Sequence, residues 1–422
     1  MSNKSTYEEP TGYQRAGWHA DGEGGTTSYY RRLATAWETF QKEEGIPVFV
    51  GVGVRDSRDL PRADWPRLGG KGTYIQVVGT NNKTGMYVVE VPARGALKPQ
   101  RNMWEERYIV LEGRGSTEVW RNGDTAKTAF EWQQWSVFAI PMNANFQIIN
   151  SSSAPALLLA VNTAPRTINA FQNMDFVFNN EFNFDDRLGG NLEDFWAVND
   201  EVEPQPTRGR AMVTSNLIPD AANSYLPLDN NRGPGFRWIA PNQVGNTLLQ
   251  GWIAEYPGGR YAKAHAHGSG AVLVCLNGSG YSITWPRDEA GVTPWKNGKG
   301  DLVRMQEYVP GGLISAAPGP SNWFHQHFAV SKGPFRIFNY TGPMPGNPEA
   351  GAGRALMDAA EGELVRQHAD ITDGGNAIPY HMEDPYIREM FETKLAEAGA
   401  ESTMPKVVYT EAGAKMEVLT DE

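Results

Sequence analysis

The chain has 422 residues, a formal net charge of −11 and a pI near 5.3, with 11% aromatic residues and 13 tryptophans. The length exceeds one ordinary hydrophobic core, and the aromatic content marks a folded globular protein. An acidic balance with no basic run longer than a dipeptide argues against binding nucleic acid or an anionic membrane.

The first stretch, MSNKSTYEEPTGYQ, lacks the basic start and apolar run of a secretory signal. No stretch reaches the roughly 18 to 20 apolar residues of a membrane span, so a cytoplasmic location is the expectation. Residues 26–44 place Tyr29, Leu33, Trp37 and Phe40 at helical spacing behind a threonine cap, which predicts an amphipathic helix in an N-terminal arm of residues 1–45. From Ile46 to about Tyr340 the texture changes. Short runs rich in Val, Ile, Tyr, Phe and Trp alternate with Gly, Pro, Asn and Asp clusters, the pattern of antiparallel strands in a sandwich or barrel. After Tyr340 comes a breaker cluster, GPMPGNPEAGAG. Two helices are then predicted, over 355–369 and 384–400, the second with an aspartate cap and proline in its first turn.

An internal repeat organises the middle of the chain. LEGRGSTEVWR (111–121) aligns without gaps on LNGSGYSITWP (276–286), an offset of 165 residues, and PMNANFQIINSSSAP (141–155) aligns on PSNWFHQHFAVSKGP (320–334), an offset of 179. The difference predicts an insertion in the second copy, within the loop-like 287–301. Two copies of one β-barrel unit follow, at 46–165 and 236–345, separated by an Asn/Asp/Pro-rich connector at 166–235 and trailed by a C-terminal helical extension at 346–422.

Four of the seven histidines fall in two short stretches of the second copy. His265 and His267 sit one residue apart in a strand-like run, so both rings point to one face, and a third imidazole from His325 or His327 completes a metal site. The single cysteine, Cys275, rules out an intrachain disulfide and a cysteine-based zinc site, and its parity places it as a buried thiol. His327 is read as a proton carrier beside the metal. Lys263 shares the parity of His265 and is a candidate for attracting an anionic substrate. Arg304, Gln306 and Tyr340 are strand-borne polar candidates for the pocket lining, and Trp252 and Trp323 for an aromatic wall. His19, His368 and His381 lie outside both barrels and are assigned no chemistry.

The spacing in the second copy resembles the two motifs of the cupin family: Gly259 six residues before His265, then His267 and Gly278, then Pro320, Asn322 and His325. Asn322 stands where the second motif has glycine, and Ala271 where the first has glutamate. The resemblance implies a mainly β fold with two cupin barrels (double-stranded β-helix, or jelly roll) in one chain, flanked by N- and C-terminal helical segments. It also implies that His265, His267 and His325 ligate one divalent metal, Fe(II) first, with Mn, Ni, Cu and Zn also compatible with imidazole. Three neutral imidazoles leave the ion its full charge and open positions, which favours an anionic bidentate substrate. By the same offsets the first copy carries Gln100, Asn102, Glu106 and Phe146 at the ligand positions, so a metal-free first barrel is expected.

Among proteins with two cupin barrels, the motif without its glutamate is similar to ring-cleaving dioxygenases of the gentisate 1,2-dioxygenase type. That similarity implies an Fe(II) dioxygenase cleaving a C–C bond of a hydroxy-aromatic acid with O2, although those enzymes use their N-terminal barrel. Two readings compete with it: a redox-neutral lyase, isomerase or decarboxylase using the metal as Lewis acid, and a non-catalytic ligand-binding cupin. The expected partners are a small molecule, O2 and, on family grounds, a second copy of the chain in a homo-oligomer.

Overall fold

The computed structural model describes residues 33–413 apart from 81–82, 189–191, 206–208, 244–247, 269, 320–321 and 342–368. The expected helix at 355–369 lies almost wholly outside these residues, as does the start of the one at 26–44. The helix that follows runs Ala36–Glu43. It begins there because Thr35 and Glu38 form a reciprocal capping box, and it buries Trp37 and Phe40.

The rest is mainly β. The first copy supplies β1 (Val48–Gly51), β2 (Gly53–Val54), β3 (Ala63–Trp65), β4 (Gly70–Val77), β5 (Gly85–Val91), β6 (Glu106–Glu112), β7 (Arg114–Trp120), β8 (Thr128–Gln133), β9 (Val137–Ile140), β10 (Asn145–Asn150) and β11 (Ala156–Asn162). The connector and second copy supply β12 (Glu203–Pro204), β13 (Ala211–Thr214), β14 (Leu217–Ile218), β15 (Arg237–Asn242), β16 (Gln250–Tyr256), β17 (His265–His267), β18 (Val272–Asn277), β19 (Gly280–Pro286), β20 (Arg304–Tyr308), β21 (Leu313–Ser315), β22 (Trp323–Ala329) and β23 (Phe335–Thr341). Each copy folds as a large sheet facing a small one: β10-β7-β8 in the first, β17-β22-β19-β20 in the second. Among the described residues no helix is long and apolar enough to cross a membrane.

Strand register confirms the repeat residue by residue. Gln100 pairs with Phe146 as His265 pairs with His325, and Val119 faces Phe146 as Thr284 faces His325. Arg107 opposes Val161 as Val272 opposes Tyr340, and both copies carry a bulge at the same place, between Leu157 and Leu158 in one and between Cys275 and Asn277 in the other. The insertion, however, is divided. Gly280 pairs with Tyr308 as Gly115 pairs with Trp132, so the offset has reached 176 by β20; the remaining three residues enter between β21 and β22.

The two large sheets pack back to back, and this explains the sequence texture of their strands. On β11, Leu158 and Ala160 face the interior of the first barrel, whereas Leu157, Leu159 and Val161 face the partner sheet. Both faces are buried, so ALLLAVN is apolar throughout instead of alternating. The sheets also exchange edges: β14, from the connector, pairs with β9 of the first barrel, and β2, from the first copy's stretch, pairs with β21 of the second.

The small sheets differ. In the first barrel the outer face of β7 is partly exposed and carries Ser116 and Glu118; the matching residues on β19 are Tyr281 and Ile283, fully buried. The C-terminal extension covers them. Its helix, Pro385–Glu397, is capped by Asp384 and lays Ile387, Phe391 and Leu395 against Tyr261, Tyr281, Ile283 and Phe328. Within this apolar clasp the Glu383 carboxyl is buried: Tyr261 donates its hydroxyl to Glu383, and Gln326 of β22 donates Nε2 to Glu383 Oε2 at 3.2 Å. Burial pushes the Glu383 carboxyl from the ordinary 4.5 up to about 7.

The folded chain therefore holds this proton more tightly than the unfolded chain does. The resulting stabilisation is complete below about pH 4.5 and is lost as pH rises through about 7. A Glu383→Gln variant, with a neutral amide of the same shape, should lose this dependence. In urea unfolding its stability relative to the parent should improve from pH 5 to pH 8 by up to roughly 3 kcal/mol. A difference that stays constant with pH would contradict the assignment.

Candidate metal centre

Strand alternation decides which side chains meet inside the second barrel. On β22, Phe324, Gln326 and Phe328 point out towards the clasp, and His325 and His327 point in; on β17, Ala266 points out and His265 and His267 point in. The pairing of β17 with β22 sets His265 directly opposite His325. The ring centroids of His325 lie 4.0 Å from those of His265 and 4.5 Å from those of His267, and one ring nitrogen from each of the three falls within 4.8 Å of the others.

β17 has only three residues, so its free edge needs support. Residues 376–378 provide it: Ala266 N–H donates to the Asn376 carbonyl at 3.0 Å, Asn376 Nδ2 donates to the Ala266 carbonyl at 2.8 Å, and Ile378 N–H donates to the Ala264 carbonyl at 2.8 Å. The motif glycine Gly278 turns the chain from β18 into β19 at φ 75°, and a Cβ there would stand 2.2 Å from the Pro334 carbonyl oxygen.

The three histidines suit a divalent cation. Burial first, then the His267 and His327 rings and the Arg232 guanidinium, hold His325 well below the ordinary imidazole value, so its lone pairs are available at neutral pH. Its buried Nδ1 has no hydrogen-bond partner. His267 Nδ1 lies 2.6 Å from the Gly268 carbonyl, which fixes its proton there and leaves Nε2 as the donor nitrogen. The position of the missing glutamate is a buried alanine, Ala271. In the first barrel Glu106 occupies that position, but it is tied to the Tyr108 hydroxyl at 2.8 Å and to Asn162 Nδ2 at 2.9 Å, and Tyr74, Tyr108, Phe138 and Phe146 fill the interior.

The four inward histidines form one wall of a cavity that offers about 30 Å³ to water, room for roughly two molecules. Trp252, Leu273, Ile337 and Asn339 form the opposite wall, with Arg210 and Arg232 also lining it. Of the residues expected to bind substrate, Trp252 reaches this cavity and the other five lie elsewhere. Lys263 is ion-paired to Asp370 at 3.1 Å. Arg304 is exposed and donates to the Asp301 carbonyl at 2.8 Å, and the Gln306 amide bonds the Glu307 carbonyl at 2.7 Å. Trp323 packs on Gly319. Tyr340 sits between the barrels, stacked on Phe338 at 4.5 Å with Arg107 over its ring. Cys275 is buried, and burial pushes its thiol up, which makes it inert.

His327 joins the wall without joining the ligand cluster. Its Nδ1 lies 2.6 Å from Ser282 Oγ, which lies 2.7 Å from the Tyr308 hydroxyl. Arg210, Arg232, Asn339, Ser282 and Tyr308 were not legible as site residues. The arginines lie in a stretch that reads as connector, and Asn339 differs from Tyr340 by one step of strand parity. Parity with Ile337 was the usable signal for Asn339; nothing in the chain marks the arginines.

No family model and no curated protein matches the chain. Among solved structures it is similar to a two-residue deletion mutant of Bacillus subtilis oxalate decarboxylase, at 11% identity and TM-score 0.43, over 76% of this chain and 86% of that one. A second variant of that enzyme matches at 10% identity with the same TM-score and coverage. Vicilin from hazelnut, Corylus avellana, matches at 11% identity and TM-score 0.38, over 62% of this chain and 75% of that one. The two-barrel architecture stands on the chain's own strand pairing.

Replacing any one of His265, His267 or His325 by alanine should cut affinity for Zn(II) or Mn(II) at least ~100-fold in calorimetric titration, since two imidazoles hold such ions poorly. His327→Ala should keep the parent's stoichiometry and affinity within about threefold. Equal losses at all four positions would mean that the trio is wrongly drawn.

Proposed function

We propose that this chain is a metal-dependent enzyme whose second barrel holds one divalent ion through His265, His267 and His325 and acts on a small anionic substrate with two chelating oxygens. The observation that carries the reading is the cluster of three inward imidazoles in a cavity lined by arginine. When bound, the ion supplies Lewis acidity to the substrate oxygens and, if it is iron, access to dioxygen chemistry.

The chain's own residues do the rest. Arg232 projects positive charge over the His325 and His327 rings and draws in an acid. Arg210, clamped by Asp229 at 2.8 and 2.7 Å and lying 3.7 Å over the Trp238 ring, is held rigid at the same wall. Trp252, Leu273 and Ile337 exclude water, which strengthens each polar contact inside. His327 offers a ring nitrogen to the substrate beside the ligands.

Two reactions suit such a centre. A redox-neutral lyase or decarboxylase reaction on a short oxyacid is favoured by volume, because a cavity of about 30 Å³ must open widely to admit an aromatic ring. A dioxygenase reaction is favoured by Ala271, because a three-ligand set leaves room for both substrate and O2. Protein loaded with Mn(II) or Fe(II) and offered short oxyacids and hydroxy-aromatic acids separates them: turnover under strict anaerobiosis, with CO2 release or isomerisation, supports the first, and O2 uptake matched to substrate loss supports the second. Inactivity of every metal form with every acid would remove both. On either reaction Arg232→Ala should raise KM at least ~10-fold with unchanged metal content, because charge recognition is lost while the ligands stay.

A further inference from the structure

We propose that Tyr308 and Ser282 act as positioning residues that hold the His327 ring as its Nε2–H tautomer, so that His327 presents a hydrogen-bond donor to substrate instead of a metal ligand or a free base. The role at substrate rests on the reading of this cavity as an active site; the tautomer does not.

The direction of the hydrogen bonds follows from counting protons. The Tyr308 hydroxyl is buried, and Ser282 Oγ, at 2.7 Å, is the partner available to it. If Ser282 donated to Tyr308, the phenolic proton would be stranded without an acceptor in an apolar surround that includes Phe335. Tyr308 therefore donates to Ser282. If His327 Nδ1 also donated to Ser282, the serine proton would be stranded in its turn. Ser282 therefore donates to Nδ1 across 2.6 Å, Nδ1 is the lone-pair nitrogen, and the proton of the neutral ring sits on Nε2.

The first barrel gives an independent reading of the same direction. Register places Thr117 and Trp132 at the positions of Ser282 and Tyr308. Trp132 Nε1 lies 3.1 Å from Thr117 Oγ1, and an indole nitrogen can only donate. In both copies the aromatic residue thus gives its proton to the hydroxyl. The third member differs: the position of His327 holds Ile148, buried in the core, where there is no ring to orient. A chain of three polar groups survives where the cavity is, and only its first link survives where the interior is filled.

With Nε2 protonated, His327 cannot ligate through that nitrogen, in keeping with its place outside the trio although it shares a strand face with His325. Its N–H instead faces an oxygen of the bound acid, on the same wall as the ligands. A donor fixed in advance stabilises negative charge as it grows on that oxygen and needs no reorientation. Substrates fitting both this donor and Arg232 are oxyacids with a second oxygen, carbonyl or hydroxyl, that gains charge during reaction.

The test is a two-bond nitrogen–proton correlation spectrum of protein labelled with 15N-histidine and loaded with zinc, taken from pH 6 to 8. His327 is assigned from a His327→Asn variant or, should that variant fold poorly, by elimination with variants of His19, His368 and His381. The expected pattern is that of a neutral ring protonated at Nε2. Ser282→Ala should convert it to a mixture of tautomers, and Ser282→Thr, the hydroxyl used in the first barrel, should restore it. An Nδ1–H or doubly protonated ring in the parent protein overturns the proposal, as does an unchanged spectrum in Ser282→Ala. The spectrum needs no substrate, so an inactive protein that shows the Nε2–H ring would overturn the enzyme reading alone.

Discussion

Burial of both faces of β19 and β22, the middle strands of the second barrel's small sheet, is the constraint on which the site depends. Its inner face carries four imidazoles, three of them buried, a costly arrangement unless the strands are held in place. The outer face of the same strands meets the C-terminal clasp through Tyr281, Ile283, Phe324 and Phe328. The short strand β17 is gripped by β22 on one edge and by residues 376–378 on the other. Without the clasp, the strand bearing two of the three ligands would be a three-residue edge open to water.

The two barrels share a backbone and differ in what fills it. Register matches them down to the bulge, yet the first spends its interior volume on Tyr74, Tyr108, Phe138 and Phe146, and the second has Leu273 and Ile314 where the first has Tyr108 and Phe138. A filled barrel is a rigid platform. Its large sheet packs against the large sheet of the second barrel; β2, from the first copy's stretch, extends the second barrel's sheet, and β14, from the connector, extends the first's.

Charge at the site runs against charge overall. The chain carries −11, yet Arg232 and Arg210, the latter paired with Asp229, line the cavity beside the imidazoles. The anion recognition proposed for this cavity rests on these two guanidinium groups and not on the charge of the distant surface.

The fold class was legible because its signals are local and repeated: period-two strands, turn residues and a 165-residue offset that register reproduces pair by pair. That His265 and His267 share a face was legible for the same reason, since i, i+2 spacing on a strand fixes it, whereas His325 was separated from His327 only by the cupin resemblance. The outer-face contrast between Ser116, Glu118 and Tyr281, Ile283 was a signal in the chain, unused above, that one small sheet is covered. What covers it, and what completes the pocket, was not. Arg232 reaches His325 across 93 residues of sequence, and Glu383 reaches Gln326 from the far side of the sheet, because the chain folds back on itself. Lys263, with the right parity, was lost to Asp370, an ion pair formed across 107 residues. The sequence by itself determined which side chains share a strand face, since that depends on backbone geometry alone. Only the tertiary structure decided which of those faces met a cavity, a partner sheet or a clasp, because that choice depends on packing between segments far apart in the chain.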